Sequence, residues 1–245
     1  MRRPASGGSR MKVVVLASRK GGSGKTTLAG HLSVQAERAG NGPVALIDID
    51  PQGSLADWWN KRAALAPHFV QTTLSSLSDD MARLTDMGVE LLVVDTPPAL
   101  DESVRTMVGH ADLVVIPTRP SPHDLRSIGA TVELAEELGK PQVFVVNGAT
   151  PRARITNEIV TILSQHGMLA PVIVHQRVDF AASMIDGRTV MELPGETRSG
   201  DEIARLWSYL QHRLSGTALR RIMPAPPPRA AQPELFAVAG GGGKA

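Results

Sequence analysis

Residues 17–30 read A-S-R-K-G-G-S-G-K-T-T-L-A-G. An apolar run, K-V-V-V-L-A-S (12–18), leads into this stretch. The segment that follows, 25–39, repeats Leu28, Leu32, Ala36 and Ala39 near one helical face and stops at Gly40. Strand, glycine loop and helix in that order are the setting a phosphate-binding loop requires. Gly21, Gly22 and Gly24, with Ser23 among them, let backbone N–H groups approach phosphate oxygens. The helix N-terminus adds its dipole and its unpaired donors. In such a loop Lys25 neutralises the β- and γ-phosphates, the Thr26 hydroxyl ligates Mg²⁺ and Thr27 bonds the α-phosphate. The plain spacing G-x-x-x-x-G-K-[ST] is nevertheless broken. Its first glycine would fall on Arg19, and a second lysine, Lys20, stands ahead of the glycines.

Working outward, further apolar runs follow: V-A-L-I-D-I-D (44–50), E-L-L-V-V-D (90–95), A-D-L-V-V-I-P (111–117), Q-V-F-V-V-N (142–147) and P-V-I-V-H (171–175). Continuous rather than alternating apolar character predicts strands covered on both faces. Helical patterns are read over 25–39, 123–138, 154–166 and 201–214, the last carrying Ile203, Leu206, Trp207, Leu210 and Leu214 on one stripe. The alternation predicts an α/β fold with a doubly wound, mostly parallel sheet. Ligands of such sheets bind at the carboxyl ends of the strands, where Lys20–Thr27, Asp48, Asp50, Asp95 and Asn147 fall.

The 245 residues are 42% hydrophobic and only 3% aromatic, enough for one sizeable aliphatic core. A net charge of +2 permits contact with nucleic acid without demanding it. The absence of cysteine excludes disulfides, Cys-held iron–sulfur clusters and a Cys nucleophile. No apolar segment is long enough for a membrane span or a signal peptide, so a soluble cytoplasmic protein is expected. Residues 1–10 are read as a flexible basic lead, 11–222 as the nucleotide-binding domain, and 223–245, rich in Pro and then Gly, as a disordered tail. Within that tail E-L-F-A-V is either a short docking segment or an unremarkable apolar patch.

The form K-G-G-S-G-K-T-T (20–27) resembles the deviant phosphate loop of the ParA/MinD family of P-loop ATPases. A-L-I-D-I-D-P-Q-G-S (45–54) is similar to that family's second acidic motif, L-L-V-V-D-T-P-P (91–98) to its Walker B strand, and V-V-N-G-A-T-P-R-A-R (145–154) to its adenine-side segment. The likeness covers roughly residues 11–214 and grows diffuse beyond Pro151. It implies slow ATP hydrolysis by in-line attack of water, with Lys20, Lys25 and Asp50 as the catalytic set. Lys20 is implied to cross a dimer interface to the partner's ATP, and Asp50 to position the attacking water. Asp48 is implied to support the Mg²⁺ network, Asp95 to hold Mg²⁺ through water, and Asn147 to hydrogen-bond the base. In I-P-T-R-P-S-P-H-D (116–124), Asp124 reads as a helix cap. Trp58 and Trp59 are open to two readings, a contact face or plain helix packing.

Among branches of the family, the iron–sulfur carriers need cysteines, and tyrosine autokinases need a tyrosine-rich tail where this chain has Tyr209 alone. A MinD-like protein ends in a basic amphipathic helix, whereas here the chain ends in Pro and Gly. The resemblance is therefore strongest to the short ParA type. It implies a homodimer with ATP that binds double-stranded DNA non-specifically at the nucleoid, and a ParB-like or other cargo adaptor that stimulates hydrolysis. Arg152, Arg154, Arg177, Arg188, Arg198 and Arg205, in the C-terminal half, are the candidate DNA contacts. A membrane-cycling ATPase and a metabolic P-loop enzyme of similar fold are the alternatives.

Overall fold

The computed structural model describes residues 10–220, with side chains to 216. Seven strands form one parallel sheet: β1 (Lys12–Leu16), β2 (Val44–Asp48), β3 (His68–Val70), β4 (Leu91–Asp95), β5 (Leu113–Thr118), β6 (Gln142–Ala149) and β7 (Val174–His175). Their order is β3-β2-β4-β1-β5-β6-β7. The chain moves outward from β1 to one edge, returns to β4, and then builds β5, β6 and β7 on the other side. The direction reverses beside β1, and at that switch point the strand ends leave a crevice. Leu16 pairs with Asp95 on one side and Val115 on the other, so the loop after β1 opens into that crevice.

Successive strand residues face opposite ways, which divides the core into two layers. Val13, Val15, Ala45, Ile47, Leu92 and Val94 face a layer completed by α3 (Leu77–Asp86), α4 (Glu102–His110), α5 (Pro122–Glu137) and α6 (Arg154–His166). Val14, Leu16, Val44, Leu46, Leu91 and Val93 face the other, made by α1 (Lys25–Arg38), α2 (Ser54–Asn60), α7 (Val178–Met184) and α8 (Arg198–Arg220). Ile203, Leu206, Trp207, Leu210 and Leu214 are all buried there, so the apolar stripe of α8 is spent on the sheet.

The predicted doubly wound parallel sheet is present, with differences at its margins. The run 171–175 contributes only Val174 and His175 as strand, with a register shift between Asn147 and Ala149 in their pairing with β6. The helix expected over 201–214 begins at Arg198 and runs to Arg220. Asp124 is not the cap of α5. Ser121 is, its Oγ accepting from Asp124 N–H at 3.1 Å while donating to the Asp124 carboxylate at 2.6 Å. The tail and its E-L-F-A-V segment lie outside the described residues.

Candidate nucleotide site

The loop 17–24 joins the central strand β1 to α1. Gly22 and Gly24 take positive φ values of 76° and 95°, which aim consecutive N–H groups inward. Gly24 admits no side chain, since a Cβ there would fall on Asn147 Nδ2. That amide donates to the Ser23 carbonyl at 2.7 Å, so Asn147 buttresses the loop from β6 across 124 residues of sequence. Its Nδ2 is therefore committed to the loop backbone, beside the base contact that the resemblance assigns to it.

A pocket of about 620 Å³ opens over the loop, within the usual range for small-molecule sites. Gly21, Gly22, Gly24, Lys25, Thr26 and Thr27 form its floor, and Asp50, Gln52, Pro98 and Arg119 stand around it. Lys25 is buried and its Nζ donates to the Ser18 carbonyl at 3.2 Å. Burial lowers its pKa, opposed by the nearby Asp95 and Asp50 carboxylates. Thr26 Oγ1 donates to Asp95 Oδ2 at 2.5 Å. Burial pushes Asp95 up to about 7, against the Thr26 hydrogen bond, and Asp48 adds repulsion. Asp95 Oδ1 is buried without a partner. A buried, half-satisfied carboxylate touching a threonine hydroxyl, with two more carboxylates near, is a hard-oxygen set short of positive charge. It fits Mg²⁺ held by Thr26 and, through water, Asp95.

Asp48 is engaged by three backbone N–H groups. Its Oδ1 accepts from Asp50 N–H at 2.9 Å, and its Oδ2 from Leu55 and Ala56 N–H at 3.0 and 3.2 Å. It pins the loop carrying Asp50 to the start of α2. Burial raises its pKa despite these bonds. Asp50 lines the pocket, its Oδ1 accepting from Gln52 N–H at 3.0 Å. Lys20 stands apart. It is exposed, is not part of the pocket lining and forms no ion pair among the described residues.

The six arginines are spread over several elements. Arg152 lies in the turn before α6 and Arg154 opens that helix on one layer, while Arg198 and Arg205 lie on α8 in the other. Arg177, with a side chain only 21% exposed, is bidentate on Glu202 at 2.8 and 3.2 Å, and Glu202 also accepts from His175. Arg188 pairs with Asp186 at 2.7 Å, and Arg154 with Glu158 at 3.2 Å. The clustering of arginines in the C-terminal half of the chain carried no information about which face each helix turns outward.

Some of the site lay beyond the motifs. Ser54, Asp57, Trp58 and Lys61 line the pocket from α2, at helical spacing i, i+3, i+4 and i+7, a signal present in the sequence. Met184 of α7 and Arg119 complete the wall. Trp58 donates from Nε1 to the Arg188 carbonyl at 3.0 Å, and Trp59 to that of Pro67 at 2.8 Å, so both indoles are packed.

A glycine loop at a sheet switch point, with a buried lysine, a threonine and a carboxylate from the neighbouring strand, defines a P-loop nucleotide-binding protein. The CobQ/CobB/MinD/ParA nucleotide binding domain matches residues 14–190, and the chain belongs to that family as a ParA/MinD-type P-loop ATPase. It is 31% identical over 207 residues to the maintenance of carboxysome distribution protein A of Halothiobacillus neapolitanus, covering 79% of this chain and 93% of that protein. It is 26% identical over 191 residues to the chromosome-partitioning ATPase Soj of Thermus thermophilus, covering 66% and 74%. A plasmid partition protein from Borrelia burgdorferi bound to AMPPNP superposes with a TM-score of 0.65 at 17% identity, covering 82% and 99%, a likeness of fold.

Proposed function

We propose that this ATPase is a nucleotide-dependent dimer switch that positions a cargo along the nucleoid. The observation that carries this reading is the division of labour between two lysines. Lys25 is buried at its own phosphate site, whereas Lys20, five residues earlier, is exposed, unpaired among the described residues and outside the pocket. A lysine held there has a use if a second copy brings another phosphate chain to it. Two anionic triphosphates in one interface repel each other, and a cation from each side offsets that repulsion. Dimerisation then depends on bound ATP.

In the hydrolysis step Asp50 orients a water in line with the γ-phosphorus. The water oxygen forms the new bond, the β–γ bridging bond breaks, and the water's proton leaves through Asp50 to solvent. Lys25, Lys20 and the loop N–H groups hold the charge on the transferring group. Thr26 and, through water, Asp95 would hold Mg²⁺, which when bound would neutralise charge on the phosphate oxygens. Loss of the γ-phosphate removes what Lys20 grips, and the dimer opens.

The dimer binds duplex DNA without sequence preference, and an adaptor on the cargo stimulates hydrolysis. The names of the two relatives, one concerned with carboxysome distribution and one with chromosome partitioning, support cargo positioning. The cargo is a plasmid, a chromosome region or a protein assembly. Arg177 is half-buried on Glu202, whereas Arg188 and Arg154 are paired with neighbouring carboxylates at the surface; Arg152, Arg154, Arg198 and Arg205 are the arginines we assign to phosphate contact, and dimerisation doubles each. A membrane-cycling role is disfavoured for α8, which buries its apolar stripe on the sheet. The test is retention on an arbitrary duplex with ATP, ADP or no nucleotide across a salt series. ATP-only retention that falls steeply with salt is expected. Equal retention with ATP and ADP overturns the reading.

A further inference from the structure

Helix α2 is held at both ends by side chains that do not belong to it. At its start, Asp48 accepts from Leu55 and Ala56 N–H. At its end, the Arg62 guanidinium reaches across to the segment before α8. Its Nη1 donates to the Gly187 carbonyl and to Glu192 Oε2, both at 2.8 Å, its Nη2 to Glu192 Oε1 at 2.6 Å, and its Nε to the Ala66 carbonyl at 2.8 Å. The Arg62 side chain is only 4% exposed and lies 5.3 Å from the Trp58 ring centroid. Gly187, at φ 78°, packs so closely on the Lys61–Arg62 backbone that any side chain there would collide with it. Glu192 is fixed in turn, accepting from Thr189 N–H and Oγ1, both at 2.8 Å.

A buried ion pair of this kind adds little net stability over a well-packed apolar alternative. What it supplies is geometry. The bidentate fork fixes angle as well as distance, which an apolar contact does not. The element it fixes is one wall of the nucleotide pocket. Trp58 and Lys61 face that pocket, and the indole of Trp58 is wedged on α1, where a Cβ at Gly30 would stand 3.4 Å from the ring. The other end of α2 begins four residues after Asp50. A seven-residue helix gripped at both ends transmits a shift at Arg62 to the loop that carries Asp50.

We propose that Arg62 is a positioning residue for ATP hydrolysis: clamped on Glu192 and Gly187, it fixes α2, and through α2 it fixes Asp50 over the phosphate pocket. This rests on Asp50 being the carboxylate that orients water, as in the preceding section. Binding of ADP makes no use of that water, so the two readouts separate.

The test uses the full chain. Arg62→Lys keeps the charge and loses the fork, and Glu192→Gln keeps the shape and loses the charge. Steady-state ATP turnover, ADP affinity and the change in tryptophan fluorescence on adding ATP are measured beside thermal unfolding. The expected result is a fall in kcat of about tenfold for Arg62→Lys, with ADP affinity within about twofold of the parent and a diminished ATP-dependent fluorescence change. If Arg62→Lys does not fold, Glu192→Gln carries the same expectation. Parental kcat in a folded variant overturns the proposal, as does a loss of ADP affinity equal to the loss of kcat, which would mean general collapse of the pocket. Should Asp50→Ala itself hydrolyse ATP at the parental rate, it is the role of Asp50 that has failed.

Discussion

Asp95 shows how much of the site's chemistry is set by one side chain. Raised to about 7, it retains a proton that an unfolded Asp, near 3.8, has already released. Its contribution to stability therefore falls as pH rises from about 4 to about 7 and is level above that, by at most about 4 kcal/mol at 1.36 kcal/mol per pKa unit. Without nucleotide or metal, Asp95→Asn is expected to melt higher than the parent at pH 8, with the gap closing near pH 4. Calorimetry across that range checks it, and a gap of constant size contradicts it. Gly24 is the opposite case, a residue that works by having no side chain. Gly24→Ala must adopt φ 95° and collide with Asn147 Nδ2. Equilibrium binding of a fluorescent ATP analogue is expected to weaken about tenfold or more, the left-handed conformation alone costing about 1–2 kcal/mol.

At the scale of elements, α1 carries a buried test of its packing. His31 is fully buried, its Nδ1 is 2.7 Å from the Thr27 carbonyl, and its ring packs 5.0 Å from Phe180 of α7. Burial holds its pKa down to about 4. The unfolded chain takes up a proton below about 6.5 that the folded chain refuses. Stability is therefore lost as pH falls from about 6.5 to about 4, by up to about 3 kcal/mol. His31→Leu should flatten that part of the melting profile, and an unchanged slope would contradict the assignment. The elements also mark how far the sequence could be read. The buried strands β1, β2, β4, β5 and β6 announce themselves as apolar runs because both faces are covered. β3, three residues at a sheet edge, is too short to leave such a pattern. α2 and α7, seven residues each, offer two turns apiece, and their fixing contacts come from residues far along the chain, such as Arg62 with Glu192. The phosphate loop was legible because its chemistry is local. The α2 wall was not, although its i, i+3, i+4, i+7 spacing lay in view.

At the scale of the molecule, the sheet order puts the loop after β1 beside Asp95 and within reach of Asp50, and that follows from the switch point rather than from any one motif. Surface charge is set at the same scale. Arginines close together in the C-terminal half stand on different elements, and three of the six, Arg154, Arg177 and Arg188, pair with carboxylates. If α8 carries the DNA contact, Arg198→Glu with Arg205→Glu should abolish ATP-dependent retention on duplex DNA while leaving ATP-dependent dimerisation within about twofold of the parent, since surface changes remote from a site are usually small. Undiminished retention would move the surface to Arg152 and Arg154.

The assignment of Lys20 to a partner's nucleotide is tested most directly by the mass of the particle in solution. Sedimentation velocity of the parent and of Lys20→Ala, each with ATP in an Asp50→Ala background, in which hydrolysis is expected to be lost, and each with ADP, reads it without reference to DNA or cargo. The account predicts a dimer for the parent loop with ATP and a monomer with ADP, and for Lys20→Ala a monomer with both, while ATP affinity per chain stays near the parental value. A Lys20→Ala protein that dimerises with ATP as the parent does would contradict it.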